Sequence, residues 1–329
     1  MVEAGTYKQI SALVDGWLAL HQGETFDLDL ICRQLDIKRP ENRHEVVKKL
    51  AYEVKGGKLE KSNRLYKYVN TNKRIIEWWK SSPERLDIRW PKGHGENDNS
   101  TFGFDASIGI RPADIIVVAG QSNWGKSCFA RNFMAENIEQ WDGKIQLMVN
   151  EYSPGRFYET INRMNWVEWF KGDKPRFTMI ERYDDWKYAI EPDWINIIDW
   201  IGLADNFYLI RSIIEGIQET LRTGICMVVL QKKEGSDNPE GGTFAEQKAS
   251  TVFLIEQGYM RLKKVKEPLG GFNPQGQMYG FAILNSGAEF GNIRPVKFCP
   301  RCGGKRKVFT KNEGSVDCEN CFGLGYIDK

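Results

Sequence analysis

No stretch of this chain approaches the roughly 20 consecutive apolar residues that a helix needs to cross a bilayer, so no membrane span is expected. The opening MVEAGTYKQI lacks a basic segment running into an apolar one, so no secretory signal is expected and a cytoplasmic location is the default. Cysteine is sparse. Of the seven, Cys32, Cys128 and Cys226 sit singly in apolar surroundings and read as core residues of a reduced protein. Net charge is slight, +2 over 329 residues, which leaves its distribution as the informative quantity. A 41% hydrophobic content fits a soluble globular chain, with length for one large domain and one or two small ones.

The charge is uneven. Residues 38–80 carry thirteen Lys/Arg against five Asp/Glu, and residues 294–329 carry eight against four. Basic ends around a mildly acidic centre suggest two surfaces for a polyanion, although lysine-rich faces also serve simply to keep a surface solvated. Residues 6–70 read as a compact unit. Ile10, Leu13, Val14, Trp17, Leu18 and Leu20 form one helical stripe. Phe26, Leu28, Leu30, Ile31 and Leu35 suggest a second short helix ending near Asp36, and Val46, Val47, Leu50 and Val54 mark a third. Two short runs flanking Asn63-Arg64 read as a β-hairpin. Three helices and a hairpin resemble a winged helix-turn-helix domain, assigned to residues 1–70. The resemblance implies that the third helix offers Arg43, His44, Lys48 and Lys49 to the major groove, while Lys61, Arg64 and Lys67 of the wing meet phosphates. Many domains of this shape bind proteins instead. Residues 71–101 read as a linker that holds a short helix with Ile75, Ile76, Trp78 and Trp79, the last two suited to packing or to base stacking.

The most specific stretch is 115–130, IIVVAGQSNWGKSCFA. It reads as a buried strand, a turn and the start of a helix, and the turn carries G-x-x-x-x-G-K-S. Gly120, Gln121, Ser122, Asn123, Trp124, Gly125, Lys126 and Ser127 then form a phosphate cradle for ATP. Glycines let backbone N–H groups converge, the helix N-terminus adds positive potential, Lys126 supplies a cation and Ser127 a hydroxyl for Mg2+.

Beyond this loop, strands are expected at 144–150, 177–181, 194–198, 225–230, 251–255, 259–265 and 279–284, with a helix through Ile210, Ile213, Ile214, Ile217 and Leu221. Strands alternating with helices predict an α/β domain with a mainly parallel sheet over residues 102–296. Ligand sites in such sheets lie at the carboxyl ends of the strands, where Gly120, Glu151, Asp199 and Gln231 all fall. Asp199, after an apolar run, suits a Mg2+-holding carboxylate beside Ser127, and Glu151 suits a base for an attacking water.

The same residues resemble the RecA-type motor domain of hexameric replicative DNA helicases of the DnaB kind. The similarity spans 109–127 (GIRPADIIVVAGQSNWGKS), 150–153 (NEYS), 198–203 (IDWIGL), 228–231 (VVLQ) and 242–247 (GTFAEQ), in that order. The resemblance implies that Glu151 is the catalytic base and that Gln231 senses the γ-phosphate. It further implies a trans-acting basic pair on a late strand, for which Lys264 and Lys266 stand where the family has Lys-x-Arg. Lys keeps the charge but lacks the planar fork of Arg. Lys232 and Lys233 open a polar, Gly-rich loop suited to single-stranded DNA, in place of the family's Asn-Arg pair. The family's helical N-terminal domain has no counterpart here.

Cys299, Cys302, Cys318 and Cys321 follow C-x2-C-x15-C-x2-C, a zinc spacing in which each pair sits on a tight turn; disulfides are the alternative. Four cysteines would leave no open position, so the site is expected to be structural. Residues 297–329 resemble a zinc ribbon, and Arg301, Lys305, Arg306 and Lys307 suggest a nucleic-acid contact there. The expected whole is an ATP- and Mg2+-dependent, Zn2+-containing DNA motor, with single-stranded DNA in the motor and duplex at the terminal modules. It is expected to be a homo-oligomer, a hexamer by preference, acting in replication or recombination. The alternative is an ATP-switched DNA-binding protein that does not unwind DNA.

Overall fold

The computed structural model describes residues 7–21, 23–69, 79, 84–95, 98–151, 153–202, 209–233, 236–310 and 314–329. The chain divides into two compact units, residues 1–82 and 83–329. The helix expected through residues 75–78 lies outside the described residues, as do Tyr152 and Leu203 of the helicase-like segments.

The first unit holds α1 (Tyr7–Leu20), β1 (Thr25–Asp27), α2 (Leu28–Gln34), α3 (Pro40–Lys55), β2 (Leu59–Ser62) and β3 (Leu65–Tyr68), the strands pairing antiparallel in the order β1-β3-β2. Its core joins Ile10, Val14 and Trp17 of α1 to Ile31, Val46, Leu50, Phe26 and Tyr66. The second helix begins later than its apolar pattern suggests, because Phe26 belongs to β1. Asp27 caps the helix by accepting a hydrogen bond from the Leu30 N–H at 2.7 Å. Pro40 opens α3, where its missing N–H costs nothing. Asn63, with φ 55°, turns the chain between β2 and β3.

The second unit is built on a ten-stranded sheet. In chain order its elements are β4 (Ile115–Gly120), α4 (Lys126–Asn137), β5 (Ile145–Val149), α5 (Pro154–Asn162), β6 (Phe170–Lys171), β7 (Lys174–Pro175), β8 (Thr178–Glu181), β9 (Ile195–Ile201), α6 (Ile210–Thr220), β10 (Ile225–Gln231), α7 (Thr243–Gln247), β11 (Thr251–Glu256), β12 (Tyr259–Val265), β13 (Met278–Leu284), β14 (Glu289–Phe298), β15 (Lys307–Thr310), β16 (Gly314–Asp317) and β17 (Tyr326–Asp328). The sheet order is β17-β14-β13-β12-β11-β4-β10-β9-β5-β8. The run from β11 to β8 is parallel, and the run from β11 to β17 is antiparallel.

The strand β4 is buried at every position because both faces of the sheet are covered. Ile116 and Val118 meet Phe129 and Phe133 of α4 on one face, while Ile115, Val117 and Ala119 share a second core with Ile210, Ile214 and Ile217 of α6. This is why these strands read as unbroken apolar runs and not as alternating ones.

Two boundaries differ from expectation. Residues 84–95, within the stretch expected as linker, contribute to the large core: Ile88 and Trp90 are buried, and the Trp90 ring lies 5.4 Å from Phe133 and 5.3 Å from Phe253. Prolines and glycines around these residues disguise an extended segment whose apolar side chains are anchored inward, with Asn137 bonding both the N–H and the carbonyl of Arg89. The cysteine-bearing segment is also tied to the sheet, since β17 pairs with β14.

Candidate functional site

Four elements bring the P-loop-like residues together. In β10, which lies beside β4, Gln231 stands opposite Gly120, and β9 lies on the far side of β10. Between β9 and β10 the register slips: Val228 faces Ile198 while Leu230 faces Ile201, so β9 carries one extra residue at Asp199–Trp200. Such a bulge re-aims side chains. Asp199 is consequently buried within β9, not at its end, and its Oδ1 accepts a hydrogen bond from Ser127 Oγ at 3.1 Å.

The loop itself depends on two glycines. A Cβ on Gly120 would lie 2.6 Å from the carbonyl oxygen of Ile255 in the adjacent β11, so only hydrogen fits. Gly125 caps α4 with φ 107°, a conformation that other residues rarely adopt, and a Cβ there would also strike Ile283. Beside the start of α4 lies a cavity of about 250 Å³ lined by Asn123, Gly125, Lys126, Ser127, Arg131 and Ile283, among others.

Lys126 is buried and donates to two neutral acceptors, the Gln121 carbonyl at 2.7 Å and Gln231 Oε1 at 3.2 Å. Burial lowers its pKa to about 8, although the charges of Asp199, Glu151 and Glu240 oppose the shift. A desolvated ammonium held by neutral groups is suited to receive an anion. Gln231 Nε2 reaches Ser122 Oγ at 3.5 Å, so its amide spans the mouth of the loop. Glu151 lies two residues beyond Val149, which pairs with Asp199, and its side chain is exposed. Glu240 was not anticipated: its N–H donates to the Gln231 carbonyl at 2.8 Å, and burial raises its own pKa. The fold returns it from a polar loop, a placement without a local sequence signal.

Several basic residues expected on nucleic acid, or for Lys264 on a neighbour's nucleotide, have partners within the chain. Lys49 is buried and bridges Glu53 at 2.6 Å and Asp15 at 2.8 Å. Position 49 falls on the inner face of α3, beside Leu50 and Glu53, and is a structural ion pair. Lys232 is also buried, paired with Glu256 at 2.7 Å and bonded to the Ser236 carbonyl at 2.7 Å. Lys264 is half-buried and donates to the Glu246 carbonyl at 2.6 Å; burial, followed by the charge of Lys266, depresses its pKa. Arg43 pairs with Asp29, and Lys48 remains half-exposed beside Glu45 at 2.8 Å. Arg64, Lys233 and Lys266 are exposed. Arg306 is half-buried and donates to Gln257 Oε1 at 2.5 Å at the surface.

The cysteines form a second site. All four are buried and free of disulfides, and their sulfur atoms lie within 4.8 Å of one another. Cys299–Cys318 and Cys302–Cys321 sulfur separations are 3.8 and 3.7 Å. Metal–sulfur bonds of about 2.3 Å in a tetrahedron require sulfur separations near 3.8 Å, so the cluster could hold a metal such as zinc. Asn320 Nδ2 and the Gly325 N–H each approach a sulfur at 3.2 Å, from Cys299 and Cys321 respectively, as donors that stabilise thiolates. Among the described residues no helix is long and apolar enough to cross a membrane. A scan of protein-family models and a search of curated proteins each found no match to this chain.

Proposed function

We propose that the second unit binds ATP with Mg2+ and hydrolyses it to drive work on DNA, as a motor of the DnaB and RecA-like kind. The observation that carries this reading is the convergence of Lys126, Ser127, Asp199 and Gln231, drawn from three separate segments, on one glycine-shaped loop. Main-chain N–H groups at the start of α4 and the Lys126 ammonium would hold the phosphates. Ser127 and Asp199 would hold Mg2+, which when bound neutralises charge on the transferring phosphoryl group. Glu151, within electrostatic reach of Lys126, would take the proton of an attacking water. Gln231 touches both Lys126 and Ser122, and its strand continues into the loop that returns Glu240, a route by which the phosphate state could reach a DNA-contacting segment.

DNA association is supported by the first unit. Three helices with a three-stranded antiparallel sheet fit a winged helix, with Arg64 exposed in the hairpin turn and Lys48 on the outer side of α3. Lys233 and Lys266, both exposed, are candidates for single-strand contact and for completing a neighbour's site in a homo-oligomer. The internal ties of Lys232 and Lys264 favour a second reading, an ATP-switched DNA-binding protein that does not translocate.

The test is ATP turnover with and without single-stranded DNA, paired with unwinding of a forked duplex. The motor reading expects single strands to stimulate turnover and forks to open. Stimulation by duplex alone, without unwinding, selects the switch. Wild-type turnover by Lys126→Ala overturns the nucleotide site.

A further inference from the structure

The cysteine module reaches the phosphate loop through one side chain. Arg306 follows Cys302 by four residues, and its backbone carbonyl accepts a hydrogen bond from the Cys318 N–H at 2.8 Å. Its main chain is thus fastened to the cysteine cluster, in a left-handed conformation with φ 68°. Its guanidinium leaves the module. It donates to Gln257 twice, to Oε1 at 2.5 Å and to the carbonyl at 3.1 Å, and its central carbon lies 6.0 Å from the centre of the Trp124 ring. Trp124 sits between Asn123 and Gly125, the two left-handed residues of the phosphate loop. A second cation, Lys232, lies 6.0 Å from the same ring and is fixed by Glu256, the neighbour of Gln257.

We propose that Arg306 is a positioning residue for the phosphate loop, so that loading the four-cysteine site with metal sets nucleotide affinity. This rests on the nucleotide-site reading above. The physical route is short. Four thiolates on one ion fix the turns that carry Cys299, Cys302, Cys318 and Cys321, the Cys318–Arg306 hydrogen bond fixes the base of the arginine, and Gln257 aims its guanidinium at the indole. A cation near the ring face attracts it. With Trp124 held, the left-handed backbone at 123 and 125 stays in one form; with it released, the loop must be ordered by the nucleotide at a cost in affinity. Arg306 therefore acts through Trp124 and touches no phosphate.

The test uses the full chain. Affinity for a non-hydrolysable ATP analogue with Mg2+ is measured for wild type, Arg306→Ala, Arg306→Lys, Lys126→Ala and metal-stripped protein, with bound zinc counted in each. Arg306→Ala is expected to weaken binding by about three- to thirtyfold, the range that a cation–ring contact commands, at unchanged zinc content. Arg306→Lys restores part of the loss, metal stripping reproduces it, and hydrogen exchange across residues 121–126 quickens in both deficient proteins. In a Trp124→Leu background, Arg306→Ala is expected to have no further effect. Arg306→Ala that binds like wild type while Lys126→Ala does not would overturn the coupling alone. Full additivity with Trp124→Leu would overturn it too. Wild type that fails to bind the analogue, with Lys126→Ala no different, overturns both the nucleotide reading and this inference.

Discussion

Ser127 Oγ and Asp199 Oδ1 lie 3.1 Å apart although 72 positions separate them in the chain. The contact exists because α4 begins at the end of β4, and because β9 carries its extra residue where Asp199 must turn toward that helix. If the pair holds Mg2+, Asp199→Asn preserves shape and removes only charge. Turnover is then expected to fall about hundredfold or more, while Mg2+-free nucleotide binding stays within a few-fold of wild type. Single-turnover hydrolysis against a Mg2+ titration measures both.

If Lys126 holds the phosphates of a nucleotide, binding is expected to depend on pH. Burial holds its pKa near 8, below the ordinary 10.5, so between those values the unfolded chain retains a proton that the folded, unliganded protein has lost. This residue therefore favours folding increasingly as pH rises through that window. A bound polyphosphate restores the proton, so affinity is expected to decline above about pH 8, with proton uptake on binding near that pH. Calorimetry in two buffers of different ionisation heat measures the uptake. Lys126→Arg, which stays charged, should abolish it.

The cysteine cluster predicts one tightly bound zinc per chain. Chelation, or Cys318→Ser, is expected to release it and to expose the amides of β17, whose pairing with residues 296–298 of β14 begins just before Cys299. Hydrogen exchange should quicken there while protection in β4 and β10, at the centre of the sheet, is retained.

Neighbouring lysines on α3 should behave in opposite ways. Lys49→Met removes the nearer of two lysines from buried Glu53, leaving Lys58 at 3.3 Å, and is expected to cost about 2 kcal/mol, read as earlier unfolding of the first unit. Lys48→Ala, at a half-exposed surface pair, should change stability by less than about 0.5 kcal/mol. If α3 faces DNA, Lys48→Ala alone should weaken DNA binding and flatten its salt dependence by about one counterion.

Much of the candidate site is legible along the chain because its information is local. A strand, a glycine turn and a helix start are adjacent in sequence, so 120–127 could be read with their geometry, and the cysteine spacing likewise fixes four thiols on two turns. Apolar runs located nearly all the central strands, since burial on both faces removes alternation. Charge was read less well. Lys49, Lys232 and Lys264 have the residue type of surface cations, yet Lys49 and Lys232 are buried against carboxylates and Lys264 is half-buried on a main-chain carbonyl. A lysine's charge is local, but whether it meets solvent or a carboxylate depends on which distant segment packs against it.

Residue type at short spacing is enough to specify the G-x-x-x-x-G-K-S turn, the four-thiol cluster and the apolar strands that must be buried. Long-range packing fixes the order of those strands, the bulge that turns Asp199 toward Ser127, the burial of Ile88 and Trp90 in the core and the approach of Arg306 to Trp124. These are set by sheet register and by the competition of many side chains for one interior. Such long-range choices leave no periodic trace in the chain.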